Sequence, residues 1–267
     1  MCIRDSAIPS RAEDGFHLPP RTVIEAHIDT RTRAILYSSP GNPTGAVYER
    51  PELEMLRQIS WDHGLYLVAD EVYREFLYDG ESHTSLFHLD GIEDRALIVD
   101  SVSKRFSACG ARIGCLLSRN AEFVESALRL GQARLCPPTV DQIAAMAALE
   151  TPPSYLEKVR QEYEQRRNVL VENLRKIPGV RCTQPSGAFY LMAELPVDNS
   201  DQFCQWILES FEHEGRSVMM APGAGFYASS ERGNQEVRIA YVLNQKDLVD
   251  ACTVLDKALA AYPGRSH

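Results

Sequence analysis

Lys104 is the residue in this 267-residue chain best suited to nucleophilic chemistry. The other four lysines, Lys158, Lys176, Lys246 and Lys257, lie in charged helical patterns. Lys104 alone follows an apolar run and sits among small residues, in S-V-S-K-R-F-S-A-C-G-A-R from Ser101 to Arg112. A nucleophilic lysine needs a neutral amine, which partial burial or a nearby cation favours. Arg105 and Arg112 are the candidate cations. Ser101 and Arg112 bracket the lysine, and a hydroxyl with a guanidinium suits an anion such as a phosphate. Asp70 closes a second apolar run, L-Y-L-V-A, and Tyr73 follows three residues later. Asn42 lies in a third segment, S-S-P-G-N-P-T-G from Ser38 to Gly45, where glycine and proline nearly dictate the turn. Each residue also has a plain reading: an exposed loop lysine, a helix N-cap at Asp70, a packed tyrosine, good turn chemistry at Asn-Pro.

Apolar periodicity supplies the elements that carry these loops. Ala34–Ser39 reads as a buried strand and Arg50–His63 as a helix, with Leu53, Leu56, Ile59 and Trp61 near a helical period and Gly64 as its cap. Leu65–Ala69 is a second buried strand, so the three form a βαβ unit with parallel neighbours. Ala96–Val99 and Arg112–Leu117 are third and fourth strands, followed by helical patterns over Ala121–Leu135, Val140–Leu149 and Tyr155–Lys176. Beyond Pro178-Gly179 come strand Ala188–Leu195, helix Gln202–His213, strands Ser217–Met220 and Glu236–Val242, and helix Lys246–Ala261. Ligands of open α/β sheets gather at the carboxyl ends of strands. The three polar loops should therefore meet at one sheet edge.

N-P-T-G, then D-x-x-Y, then S-x-S-K with an arginine eight residues after the lysine, resembles the class I/II aminotransferases. These are the fold type I pyridoxal-phosphate enzymes of aspartate-aminotransferase type. The likeness continues through P-S-G-A-F-Y (Pro185–Tyr190), A-P-G-A-G-F-Y (Ala221–Tyr227) and V-R-I-A-Y (Val237–Tyr241), from about Asp14 to the end. It implies an α/β fold, with a large domain on a mostly parallel sheet and a smaller α+β C-terminal domain. It further implies that Lys104 carries pyridoxal 5′-phosphate as a Schiff base and shuttles a proton. Asp70 would keep the ring nitrogen protonated, Asn42 and Tyr73 hold the ring's 3-oxygen, and Ser101 and Arg112 hold the phosphate. Arg238 would bind the substrate α-carboxylate; the plain reading is an edge-strand arginine facing solvent. The activity implied is amino-group transfer between an amino acid and a 2-oxo acid. A lyase or decarboxylase on the same scaffold, or an effector-sensing module of a regulator, are the alternatives.

The domains expected are an unrelated leader over 1–6, the C-terminal part of a cofactor-binding large domain over 7–170, and a small domain over 171–267. The phosphate-cupping turn and ring-stacking aromatic of the family are not found in residues 1–32, so the chain reads as N-terminally truncated. By itself it is expected to be inactive, and to dimerise when full length. A formal net charge of −9 gives no footprint for nucleic acid or an anionic membrane. Seven scattered cysteines without a C-x-x-C fit reduced thiols in the cytoplasm better than a disulfide framework. The dispersed histidines give no metal site, and no apolar run is long enough to span a bilayer.

Overall fold

A computed structural model describes residues 5–229 and 231–266. Most of the expected leader therefore lies outside the described residues. The first half runs α1 (Arg21–Glu25), β1 (Ala34–Ser38), α2 (Arg50–His63), β2 (Tyr66–Asp70), β3 (Ala96–Ser101), α3 (Val102–Arg105), β4 (Gly114–Ser118), α4 (Ala121–Arg134) and α5 (Thr139–Leu149). The long helix α6 (Pro153–Leu174) leads into β5 (Arg181–Cys182), β6 (Tyr190–Glu194), α7 (Ser200–Glu209), β7 (Ala221–Pro222), β8 (Glu236–Ala240) and α8 (Gln245–Ala261).

The first sheet has the order β1-β2-β3-β4, with β1, β2 and β3 parallel and β4 antiparallel to β3. The βαβ reading holds because α2 is well delimited. Glu49 and Glu52 form a reciprocal capping box, and Gly64 ends the helix in the left-handed region at φ 68°. Leu53, Leu56 and Ile59 pack against Leu67, Ala69 and Ile98 of the sheet. Trp61 does not join them. It lies two residues past Ile59, about 200° around the helix, and is 58% exposed beneath the Arg95 guanidinium.

The expectation of a buried first strand also needs correcting. Only Tyr37 of β1 is buried, and Leu36 is 73% exposed. Successive side chains of a strand face opposite ways, and among the described residues nothing covers the face that Leu36 occupies. The same holds along β4, α4 and α5, where Leu116, Leu128, Val140, Ile143 and Met146 are exposed.

The second sheet is antiparallel, in the order β5-β6-β8-β7. Its core comprises Leu191, Val237, Phe203, Leu255 and Leu259 together with Leu170 and Leu174 of α6. The strand expected over Ser217–Met220 does not form. Pairing starts four residues later, at Ala221–Pro222 opposite Arg238 and Val237, while Ser217 Oγ donates to Ile207 O instead.

The two sheets meet around Arg167 of α6, whose side chain is fully buried. Its guanidinium donates to Asp79 at 2.6 and 2.8 Å and to Pro185 O at 3.0 Å, and it lies over the Tyr78 ring. Arg167 thus ties the segment after Tyr73 to the start of P-S-G-A-F-Y. Removing one partner of a buried charge costs more than replacing the pair with apolar bulk. Asp79→Ala leaves the buried guanidinium with only the neutral acceptors Pro185 O and Asn168 Oδ1 and, because Asp79 is itself half exposed, should lower unfolding stability by roughly 1–3 kcal/mol. Arg167→Met should lower it less; chemical denaturation of both variants checks the order.

Candidate active site

Three carboxyl ends of strands converge as expected. Ser38 of β1 stands opposite Asp70 of β2, and Asp70 opposite Val99 of β3. Asp70 is half-buried and does not cap a helix, because residues 72–75 form a turn. Its Oδ1 accepts a hydrogen bond from Val72 N at 3.2 Å. No ion pair among the described residues includes it. Burial therefore pushes the Asp70 carboxyl above the usual carboxylate range; the Val72 N–H opposes this, while the charges of Asp100 and Glu71 add to it. The adjacent Glu71 is buried as well but has partners. One oxygen accepts from Leu86 N and Ser85 Oγ, and the other lies 3.1 Å from His83, within ion-pair range but without an aligned hydrogen bond. Although burial works against its charge, these partners hold its carboxyl below the usual range.

Lys104 lies in the short helix α3, which Ser101 caps. Its ammonium stands 5.9 Å from the centre of the Tyr73 ring and 5.7 Å from that of Phe189. Tyr73 packs edge-on against both Phe189 and Tyr190, and its hydroxyl donates to Tyr190 Oη at 3.1 Å. Burial raises the Tyr73 phenol pKa, and the bond to Tyr190 raises it further. Arg238 lies between aromatic rings, with its guanidinium carbon 4.6 Å from the centre of Tyr190 and 4.9 Å from that of Phe226. One nitrogen donates to Asn42 Oδ1 at 3.0 Å. The structure thus links Lys104, Tyr73, Arg238 and Asn42 through two aromatic side chains.

Arg238 is not on an edge strand, since β8 runs between β6 and β7. Its buried Nε has no hydrogen-bond partner among the described residues. A buried guanidinium nitrogen without a partner is costly, so this side chain suits an anion.

The remaining sequence-predicted residues sit farther out. Ser101 Oγ is already occupied: it accepts from Ser103 N at 3.0 Å and lies 2.8 Å from Ile113 O. Arg112 is exposed at φ 56°, in the left-handed region, and donates to Cys109 O. Arg105 is not a free cation beside Lys104, because it pairs with Asp100 at 3.0 Å and with Glu75 at 3.2 Å. Sequence reasoning assigned no role to Phe189, Tyr190 or Phe226. Their signal was the aromatic pair in each of the motifs P-S-G-A-F-Y and A-P-G-A-G-F-Y, although nothing local reveals which loop they face.

The family model for aminotransferase class I and II matches residues 7–255, starting earlier than the motif-based limit near Asp14. The chain is 32% identical over 257 residues to the aromatic-amino-acid aminotransferase 2 of Thermococcus litoralis, covering 94% of this chain and 63% of that protein. It is 34% identical over 265 residues to an arginine–pyruvate transaminase of Pseudomonas aeruginosa, covering 97% and 64%. Among solved structures, the aromatic aminotransferase of Pyrococcus horikoshii superposes with a TM-score of 0.84 at 31% identity, covering 95% of this chain and 66% of that one. The aspartate aminotransferase of Thermus thermophilus with maleate gives 0.82 at 29%, covering 94% and 63%. The chain thus spans less than two thirds of the length of these relatives. With its fold, its three strand-end loops and the match over 7–255 in agreement, this chain belongs to the aminotransferase class I and II family.

Proposed function

We propose that the protein carrying this chain is a pyridoxal-phosphate-dependent aminotransferase, moving an amino group between an amino acid and a 2-oxo acid. The observation that carries this reading is the pairing of unmet groups within one aromatic-walled site. Asp70 is a carboxylate without a cation, Arg238 a guanidinium with a buried nitrogen lacking an acceptor, and Lys104 an amine between two rings. A cofactor with a basic ring nitrogen and an aldehyde, together with a substrate carboxylate, would satisfy all three. The residues therefore fit pyridoxal 5′-phosphate, which when bound supplies an electron-withdrawing ring for labile bonds at the substrate α-carbon.

Each residue then has a task that follows from its chemistry. Lys104 would hold the cofactor covalently and would take the substrate α-proton and return it as a positioned base and acid. Asp70 would keep the ring nitrogen protonated. The Tyr73 hydroxyl and the Asn42 amide would serve the ring's 3-oxygen. Ser101 and Arg112 would provide a hydroxyl and a guanidinium for the phosphate, which requires Ser101 to turn its hydroxyl from Ile113 O and Arg112 to release Cys109 O. Arg238 orients the substrate by gripping its α-carboxylate. The same reading divides the chain into a cofactor-binding part over 7–170 and a small domain over 171–267. It places the protein in the cytoplasm as a homodimer. No described helix is long and apolar enough to cross a membrane.

Three outcomes test this reading. In the protein carrying this chain, Lys104→Ala should lower amino transfer by on the order of 10²- to 10⁴-fold, the usual span for a lost general acid–base group. Transfer within a few-fold of wild type would refute the assignment. Arg238→Ala should chiefly raise KM for amino acids, by the equivalent of roughly 2–5 kcal/mol for a buried charge pair. Amines without a carboxylate should be spared, and equal losses for both would argue against the role. The third outcome concerns the cofactor-free protein. A carboxyl whose folded pKa is raised binds its proton more tightly in the native state, so a stability penalty builds up as pH rises from the unfolded to the folded value, is complete above the folded value, and is absent below the unfolded one. Asp70→Asn should therefore raise the melting temperature at neutral pH, and the gain should disappear on acidification. A variant no more stable than wild type at pH 7 would mean that Asp70 already has a partner.

A further inference from the structure

The turns carrying Tyr73 and Lys104 both leave the first sheet, so the strand ladder does not fix them against each other. The last backbone link between their strands on this side is Glu71 N to Val99 O, at 3.1 Å. Beyond it, four charged side chains close a compact network across the gap. Asp100 Oδ2 lies 3.1 Å from Arg74 Nη2 and 3.0 Å from Arg105 Nη2. Glu75 Oε1 lies 3.2 Å from Arg105 Nε and 3.6 Å from Arg74 Nε. The Arg105 Nε–Glu75 contact is within ion-pair range but is not aligned as a hydrogen bond. Arg74 and Glu75 directly follow Tyr73, Arg105 directly follows Lys104, and Asp100 lies four residues before it. The second Asp100 oxygen accepts from Ser101 N at 2.8 Å, which fixes the carboxylate to the start of the Lys104 turn.

This is not an ordinary surface ion pair. The side chain of Asp100 is 8% exposed and that of Arg105 13%. Exposed pairs contribute little because water and salt screen them, whereas a buried carboxylate shared by two guanidiniums is held closely in place.

We infer that Asp100 is a positioning residue for the proposed amino transfer, clamping the Tyr73 turn to the Lys104 turn through Arg74 and Arg105 and so setting the lysine amine against the Tyr73 ring. The inference rests on the reading that Lys104 is the cofactor-bearing lysine, but the clamp itself is a property of the chain. Asp100 touches none of the reacting groups. It acts by keeping Lys104 in a narrow range of directions, and a misplacement of about 1 Å can cost roughly 10²-fold in rate. Asp100→Asn keeps the shape but removes the charge, leaving both guanidiniums with Glu75 alone.

Two measurements on the same variants decide the matter. Amide hydrogen exchange without cofactor should show residues 72–76 and 102–107 exchanging faster together in Asp100→Asn, by about tenfold, while α2 and α8 keep their protection. With pyridoxal phosphate in large excess, borohydride trapping at Lys104, read by peptide mapping, should slow by at least about tenfold in Asp100→Asn. Asp100→Glu should recover part of that loss. Arg74→Gln, at the more exposed end of the network, should slow trapping less and serves if Asp100→Asn does not fold. Trapping at the wild-type rate in a folded variant, or a lowered melting temperature without slower trapping, would overturn the inference. Faster exchange in only one of the two segments would overturn it as well. If wild-type protein is not trapped at Lys104, the functional reading fails, and coupled or uncoupled exchange still decides the clamp.

Discussion

Two backbones pass each other with no room for a side chain, and the candidate site depends on that crossing. Gly45, at φ 70°, ends the N-P-T-G loop, and an added Cβ there would collide with Pro185 Cβ and lie 2.7 Å from Tyr190 O. At Gly187 a Cβ would lie 2.7 Å from Pro40 Cβ and 2.9 Å from Phe76 O. Gly187 N donates to Gly45 O, and Ala188 N to Phe76 O. The loop of the first sheet and the turn before β6 are therefore joined backbone to backbone, an approach that only glycine permits. Phe189 and Tyr190 follow directly and are delivered against Tyr73. From there the aromatic contacts lead to Arg238 on one side and to Lys104 on the other.

Opposite electrostatic solutions sit side by side in this region. Glu71 and Arg167 are buried charges met by several partners, as buried charges must be if the fold is to tolerate them. Asp70 and Arg238 lie in the same neighbourhood and remain partly unmet. Unmet charge beside well-met charge is what a binding site looks like before its ligand arrives, because the free energy withheld in folding becomes available for recognition. The walls are aromatic, so the polar groups are few and their directions are set by packing.

Much of this was legible in the sequence. The bounds of α2 were readable from its apolar period and its local cap at Gly64, and the capping box of Glu49 and Glu52 that fixes its start is equally local. Lys104 and Asp70 stood out through position at strand ends and through scarcity, both one-dimensional properties. The aromatic walls were not legible. Which ring faces Lys104 depends on a crossing between residues more than 100 positions apart, and a Phe-Tyr pair in a strand is usually core. Trp61 and Leu36 misled for the complementary reason, since periodicity marks an apolar face without saying whether anything covers it. Arg105 misled through proximity: being next to Lys104 in the chain suggested a cation at the amine, whereas its guanidinium is taken up by Asp100 and Glu75.

The central claim is that the crossing loops select one lysine out of five for cofactor chemistry. Wild-type protein incubated with excess pyridoxal 5′-phosphate, reduced with borohydride, digested and mapped by mass spectrometry tests it most directly. The account predicts that the reduced adduct is confined to the peptide containing Lys104. Label spread evenly over Lys104, Lys158, Lys176, Lys246 and Lys257 would contradict it, as would a dominant adduct at any lysine other than Lys104.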